Sequence, residues 1–253
     1  MKKSITIVGW RRPSFMDQML THLAKNDLNG WDIYVGIDPH KEPEYTNLKK
    51  MHREAILTHI PQAKVFWRDW NCRLKSHHAI SRNTHDIINK AYSDGSEYNI
   101  HLEDDVIVSP DITQLADWYG QNEFHDIFCL SFPNARRNLP VCGLDNPARA
   151  VARSGNIYEE GRSGLHGFAH CTRRREWFDF ISASTFGHNG WDWGWAWEII
   201  NKKMDTLIPY ITRCDHLGTH GVHIKNKMQN ARKGWGNHEI YDGVVKKEDF
   251  VLL

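Results

Sequence analysis

In the first half of the chain, short apolar runs alternate with segments whose apolar residues recur at helical spacing. Ile5 to Val8 is a β-branched run that stops at Gly9, and past Pro13 the residues Phe15, Met16, Met19, Leu20 and Leu23 mark one face of a helix. Trp31 to Ile37 repeats the strand pattern and stops at Asp38-Pro39; Leu48 to Ile60 predicts a second helix and Ala63 to Trp67 a third strand. Ile80, Ile87, Ile88 and Ala91 place a helix over Ala79 to Tyr92, ahead of the Asp94-Gly95 turn, and Tyr98 to Leu102 is a fourth strand. Strands joined by helices in this order predict an α/β domain with a mostly parallel central sheet flanked by helices.

The second half is less regular. Val106 to Val108 continues the strand pattern and leads to a helix capped near Asp111, and Ile127 to Phe132 predicts a strand. Pro133 to Gly164, rich in Arg, Asn, Gly and Pro, predicts a long loop able to act as a lid. Helices are expected near Arg174 to Ser182 and from about Trp195 to Lys203, with a strand near Thr206 to Arg213. Beyond His223 the chain turns Lys-, Asn- and Gly-rich, which predicts a loosely ordered C-terminal arm over 224–253.

The composition narrows the field of partners. Thirty-two basic residues against thirty-one acidic ones leave a formal charge of +1 over 253 residues, so no global field draws the protein to nucleic acid or an anionic membrane. Five cysteines without a Cys-x-x-Cys pair point to a reducing compartment. The apolar stretch near Met1 is too short for a signal peptide and no run could span a bilayer, so a cytoplasmic location is expected. Eleven Trp and sixteen His raise the prospect of aromatic platforms and a metal.

Glu103, Asp104 and Asp105 follow the fourth strand directly. In open α/β sheets ligands bind beyond the carboxyl ends of strands. Three adjacent carboxylates repel one another unless a cation neutralises them, and hard cations such as Mg²⁺ and Mn²⁺ take one or two carboxylates together with phosphates and water. The alternative is a solvated acidic turn.

The stretch His101-Leu102-Glu103-Asp104-Asp105-Val106 resembles the Glu-Asp-Asp segment of the N-acetylglucosaminyltransferase I family and, more loosely, the Asp-x-Asp motif of other GT-A glycosyltransferases. Further stretches match in the same order. Gly9-Trp10-Arg11-Arg12 resembles the first loop, where basic residues approach the nucleotide; Asp38 resembles the acid that reads the uracil edge. Arg82-Asn83 resembles the Arg-Asn element of the broad inverting GT-A family. Gly164-Leu165-His166-Gly167 is similar to a turn beside the donor sugar, with His166 as a departure, and Trp191-Asp192-Trp193 is similar to the stretch that supplies the catalytic base. Asp215 to His223 resembles the closing His-x-Gly segment that folds over the diphosphate.

The resemblance implies a Rossmann-like GT-A fold, with residues 1–223 as one catalytic domain. Residues 1–111 form its nucleotide-binding half and 112–223 an acceptor-side half. Asp105 becomes the ligand of a divalent Mn²⁺ or Mg²⁺, joined by a histidine from among His216, His220 and His223. Asp104 becomes a donor contact, with Glu103 nearby, and Asp192 the base of an inverting transfer from a nucleotide sugar, UDP by resemblance. Lys225 and Lys227 could close over the phosphates, and the indoles of Trp191 and Trp193 could hold an acceptor. By period alone, the alternation of Trp191, Trp193, Trp195 and Trp197 predicts a strand; the resemblance implies the start of a helix.

The acceptor stays open between a glycan and a hydroxymethylated base in phage DNA, for which Arg136-Arg137, Arg149 to Arg153 and Arg173-Arg174-Arg175 would supply local positive charge. Three alternatives compete with this function: a metal-dependent phosphohydrolase or nucleotidyltransferase, a non-catalytic sugar-binding module, and a zinc site built from the histidines alone.

Overall fold

The computed structural model describes residues 1–38, 45–68, 76–134, 142–154, 167–181, 191–217 and 240–253. The first half builds β1 (Lys3–Gly9), α1 (Pro13–Leu23), β2 (Trp31–Ile37), α2 (Tyr45–His59), β3 (Lys64–Trp67), α3 (Ser76–Ser93) and β4 (Tyr98–Glu103). These four strands are mutually parallel in the order β3-β2-β1-β4. α1 starts on Pro13, whose missing N–H has no intrahelical partner to lose in the first turn. It buries Met16, Met19, Leu20 and Leu23, the stripe that its spacing predicts.

The chain continues through β5 (Val106–Val108), α4 (Ile112–Gln121), β6 (Ile127–Ser131), β7 (Ala150–Arg153), β8 (Ala169–Arg173) and α5 (Arg174–Glu176). α5 runs into a π-helical turn, Trp177–Ile181. α6 (Trp191–Asn201), β9 (Asp205–Pro209), β10 (Cys214–His216) and β11 (Val251–Leu252) complete the described elements. Nine strands form one sheet in the order β11-β7-β9-β6-β8-β4-β1-β2-β3, in which β8 runs antiparallel to both its neighbours. β5 turns away from that sheet and pairs antiparallel with β10.

Alternation along β1 sends Ile5 and Ile7 to one face, against α1 and α4, and Val8 to the other, against Ile87, Ile88, Trp177 and Trp195. The second face also carries a buried polar seam. Ser4 donates to Asn99 at 2.8 Å, Asn99 donates to Thr6 at 2.9 Å, and Thr6 meets His101 Nδ1 at 3.1 Å. The His101 ring then lies 5.3 Å from that of His170, which packs edge-on against Trp195.

Four features depart from the pattern prediction. Within the expected Pro133 to Gly164 loop, the described residues hold a 3₁₀ turn (Pro147–Arg149) and β7, whose Ala-Val-Ala run is too short to stand out. β8 is a strand with buried His170 and Thr172, polar residues that hide it from a hydropathy pattern. The tryptophan-rich segment is helical from Trp191, as the resemblance implies and against the period-2 pattern, and the helix lies beside the π-helical turn. Finally, residues 240–253 are not a loose arm: β11 pairs with β7, and Val245 and Phe250 are buried in the core. Cys129, Cys142, Cys171 and Cys214 are free thiols. Among the described residues no helix is long and apolar enough to cross a membrane.

Candidate functional site

The order β3-β2-β1-β4 places a topological switch between β1 and β4. β1, β2 and β3 progress outward, and α3 then returns the chain across them to lay β4 on the far side of β1. Adjacent loops diverge at such a point and leave a crevice at the carboxyl ends of the strands. Val8 is in register with Glu103, so Trp10 to Arg12 and Glu103 to Asp105 leave the sheet side by side.

Asp104 ties the two ends together. It accepts from the Trp10 backbone N–H at 2.8 Å and from Arg12 Nη2 at 2.6 Å. Arg12 Nη1 donates to Asp105 Oδ2, so one guanidinium bridges the two aspartates. From the other side the Leu217 N–H donates to the Asp105 carbonyl at 2.6 Å, next to the β5–β10 pairing. This brings His216 Nε2 to 3.4 Å from Asp105 Oδ2. The His216 ring is set edge-on against Phe168, whose carbonyl accepts from the Glu103 N–H at 2.9 Å. Ligating atoms of Glu103, Asp105 and His216 all fall within 4.8 Å of one another.

Burial perturbs the charges at this site. Asp104 and Asp105 are 2% and 1% exposed. Burial lifts the Asp104 carboxyl well above the usual carboxylate range; Arg12 pulls it down, Asp105 adds to the rise, and the Trp10 N–H again opposes it. Burial also works against the Arg12 cation, but Asp104, Asp105 and Glu103 together outweigh it and raise its pKa. Asp105 Oδ1 is buried without a hydrogen-bond partner among the described residues, a costly position unless something else meets it.

The other predicted site residues are placed unevenly. Asp38 is buried and its N–H donates to the Gly9 carbonyl at 3.0 Å, which sets it at the joined ends of β1 and β2. Arg11 is exposed, with its guanidinium over the Trp10 ring. Asn83 is buried and donates to the Gly36 carbonyl at 2.9 Å while accepting from Arg68 Nε at 3.2 Å. A Cβ on Gly36 would stand 2.2 Å from Asn83 Oδ1, so α3 approaches β2 this closely only over glycine. Arg82 is half-exposed and reaches Asp86 one turn along α3. The Gly167 carbonyl accepts from His170 Nδ1 at 2.9 Å. Trp191, Asp192 and Trp193 form the first turn of α6. Gly164, His166, His220, His223, Lys225 and Lys227 lie outside the described residues.

Sequence patterns did not single out His52, on α2, whose Nε2 donates to the Trp10 carbonyl at 2.6 Å and fixes the first loop from behind. A lone polar residue inside a helical stripe was its only trace. Phe168, the partner of His216, was visible only as the end of a Gly-rich turn.

No protein-family model matches the chain, and no curated protein sequence does. Solved structures do match. Staphylococcus aureus TarS 1-349 in complex with UDP-GlcNAc superposes with a TM-score of 0.53 at 12% identity, over 88% of this chain and 60% of that one. The same protein in complex with UDP gives 0.52 at 12% identity, over 85% and 60%. A mannosyltransferase from Pyrobaculum calidifontis in complex with GDP-Man and Mn²⁺ gives 0.42 at 12% identity, over 69% and 45%. The chain thus spans about half to three-fifths of the length of these proteins. At such identity the likeness stops at the fold, short of the N-acetylglucosaminyltransferase I family: this chain shares the mostly parallel α/β architecture of the TarS structures.

Proposed function

We propose that the chain is a metal-dependent inverting glycosyltransferase that moves a sugar from a nucleoside-diphosphate sugar to an acceptor hydroxyl. The observation that carries this is the meeting of Glu103, Asp105 and His216 at the switch point of the sheet. Two carboxylates and an imidazole suit Mn²⁺, or Mg²⁺ with more water, and Asp105 Oδ1, buried with no hydrogen-bond partner among the described residues, supports an oxygen ligand there. Glu103, Asp105 and His216 would hold the ion. When bound, it would offset the charge of the leaving diphosphate.

The chain's own residues supply the rest. Asp38, at the end of β2, would receive the base, and Arg12, which contacts Asp105, would meet the diphosphate. Asp192 would take the proton of the acceptor hydroxyl. The acceptor oxygen then bonds to the anomeric carbon as the bond from that carbon to the diphosphate oxygen breaks, and the electron pair leaves with the nucleoside diphosphate. Lys225 and Lys227 would close over the phosphates and exclude water. UDP is the proposed nucleotide, by the resemblance of Asp38 and the acidic triplet. The acceptor is a glycan or a hydroxymethylated base in DNA.

Thermal unfolding with UDP-, GDP- and CMP-sugars, each with and without Mn²⁺, tests the donor half. One nucleotide sugar should raise the midpoint only when Mn²⁺ is present, and Asp105→Ala should abolish that rise. No metal-dependent rise with any donor would reject the function. Hydrolysis of a bound nucleotide with no transfer to any acceptor would favour a phosphohydrolase.

A further inference from the structure

We propose that Arg12 and the divalent cation compete for the same carboxylate, so that the ion enters as Arg12 leaves, and that this exchange couples metal binding to diphosphate binding. The inference rests on the metal-dependent function above.

Asp105 belongs to two groupings at once. Its Oδ2 accepts from Arg12 Nη1 and lies 3.4 Å from His216 Nε2, and Asp105 is also a member of the Glu103–Asp105–His216 set. An ion shared by Asp105 and His216 would claim the Oδ2 that Arg12 holds, and a guanidinium and a divalent ion on one buried carboxylate oxygen repel strongly where water is excluded. The bridge to Asp104 and Asp105 also leaves capacity unspent on both sides. Arg12 Nε is buried without a hydrogen-bond partner among the described residues, and so is Asp105 Oδ1. An arginine with its full fork engaged would spend all its donors. The resting contact is therefore incomplete, which suits a contact that has to be given up.

The backbone around Arg12 lets the side chain move while its root stays fixed. The Trp10 N–H is held by Asp104, the Trp10 carbonyl by His52, and the Gly9 carbonyl by the Asp38 N–H. Arg12 itself is the residue that precedes α1, and its side chain makes no capping bond there. Released from Asp105, the guanidinium remains tethered at the switch point, where the planar fork matches a phosphate. An ion arriving with a diphosphate gives Arg12 a new partner as it takes the old one. An ion arriving alone does not.

Calorimetric titration of Mn²⁺ into the wild-type chain and into Arg12→Ala, each with and without UDP, tests this. Wild type should bind Mn²⁺ weakly alone and at least about tenfold more tightly with UDP, and by linkage UDP should gain by the same factor. Arg12→Ala should bind Mn²⁺ alone about tenfold more tightly than wild type and should lose most of the gain from UDP. Arg12→Lys, which keeps the charge but not the fork, should fall between them. If Arg12→Ala unfolds without metal, added Mn²⁺ should restore its folded signal, and failure to do so overturns the proposal. Equal or weaker Mn²⁺ binding by Arg12→Ala, beside measurable binding by wild type, overturns the competition and leaves the metal site standing. Absence of Mn²⁺ binding in both proteins removes the metal site and the competition together.

Discussion

Arg213 and Asp111 form an ion pair with both side chains fully buried, Nε to Oδ1 at 2.9 Å. The pair is hydrogen-bonded throughout: Arg213 also donates to the carbonyls of Ile211 and Ala148, and Asp111 accepts from Ser109 Oγ and the Val245 N–H. The Tyr241 ring covers the guanidinium at 4.3 Å. Arg213 immediately precedes β10, so the pair anchors the strand that delivers His216 to Asp105.

Asp111→Ala should therefore lower stability by about 3–5 kcal/mol, because it strands a buried guanidinium. Urea unfolding measures the loss. A drop under about 1 kcal/mol, the size of a surface pair, would mean that Arg213 finds water or another acceptor.

His216→Ala should weaken Mn²⁺ binding by about tenfold or more, a size already typical for residues one layer beyond the ion. The fold should be little affected, since the β5–β10 pairing is made by backbone. Titration calorimetry with Mn²⁺ and UDP decides it, and undiminished binding would exclude His216 from the ligand set.

Asp192→Asn should keep donor binding and lose transfer by about 10²–10⁴ in rate, as for removal of a general base. Donor-induced thermal shift and product formation, measured side by side, separate the two. Retained transfer would move the base elsewhere.

The paired histidines of the interior make the protein acid-sensitive. Burial holds His170 neutral and pushes its pKa down to about 3, and burial with His170 alongside holds His101 well below the ordinary value. The unfolded chain takes up these protons near pH 6.5. Between about pH 6.5 and 3 the unfolded state binds more protons, so this contribution is full above 6.5 and declines on acidification. For His170 the loss at pH 5 is about 2 kcal/mol. Asp104, raised by burial, pulls the opposite way, so the measurement is the pH dependence of stability in wild type minus that in His170→Asn. Identical slopes between pH 7 and 5 would contradict it.

The sequence made the parallel half of the fold legible because strands β1 to β4 and helices α1 to α3 each carry a clean apolar period. β8 was not legible: His170 and Thr172 are buried there because the polar seam from Ser4 through His101 gives them an interior of matching chemistry. For the candidate site, the acidic triplet could be read at the end of β4, and a histidine of the closing segment could be named as its companion. The Arg12 bridge could not. Arg12 and Asp104 are 92 positions apart, and only the return of α3 across the sheet makes them neighbours.

β11 gives the sheet an unusual dependence on distant sequence. β7 is formed by residues 150–153, yet its outer edge is closed by Val251 and Leu252, with Phe250 packed 6.1 Å from Trp118. A chain cut after residue 239 would leave that edge as an open row of backbone donors and acceptors beside an indole that keeps Phe124 but loses Phe250, a template for strand exchange between molecules. During synthesis the same edge stays open from the emergence of β7 until β11 has left the ribosome. Over that interval the open edge could pair with another chain, and any tag or fusion placed at its end should leave residues 245–252 free to close the sheet.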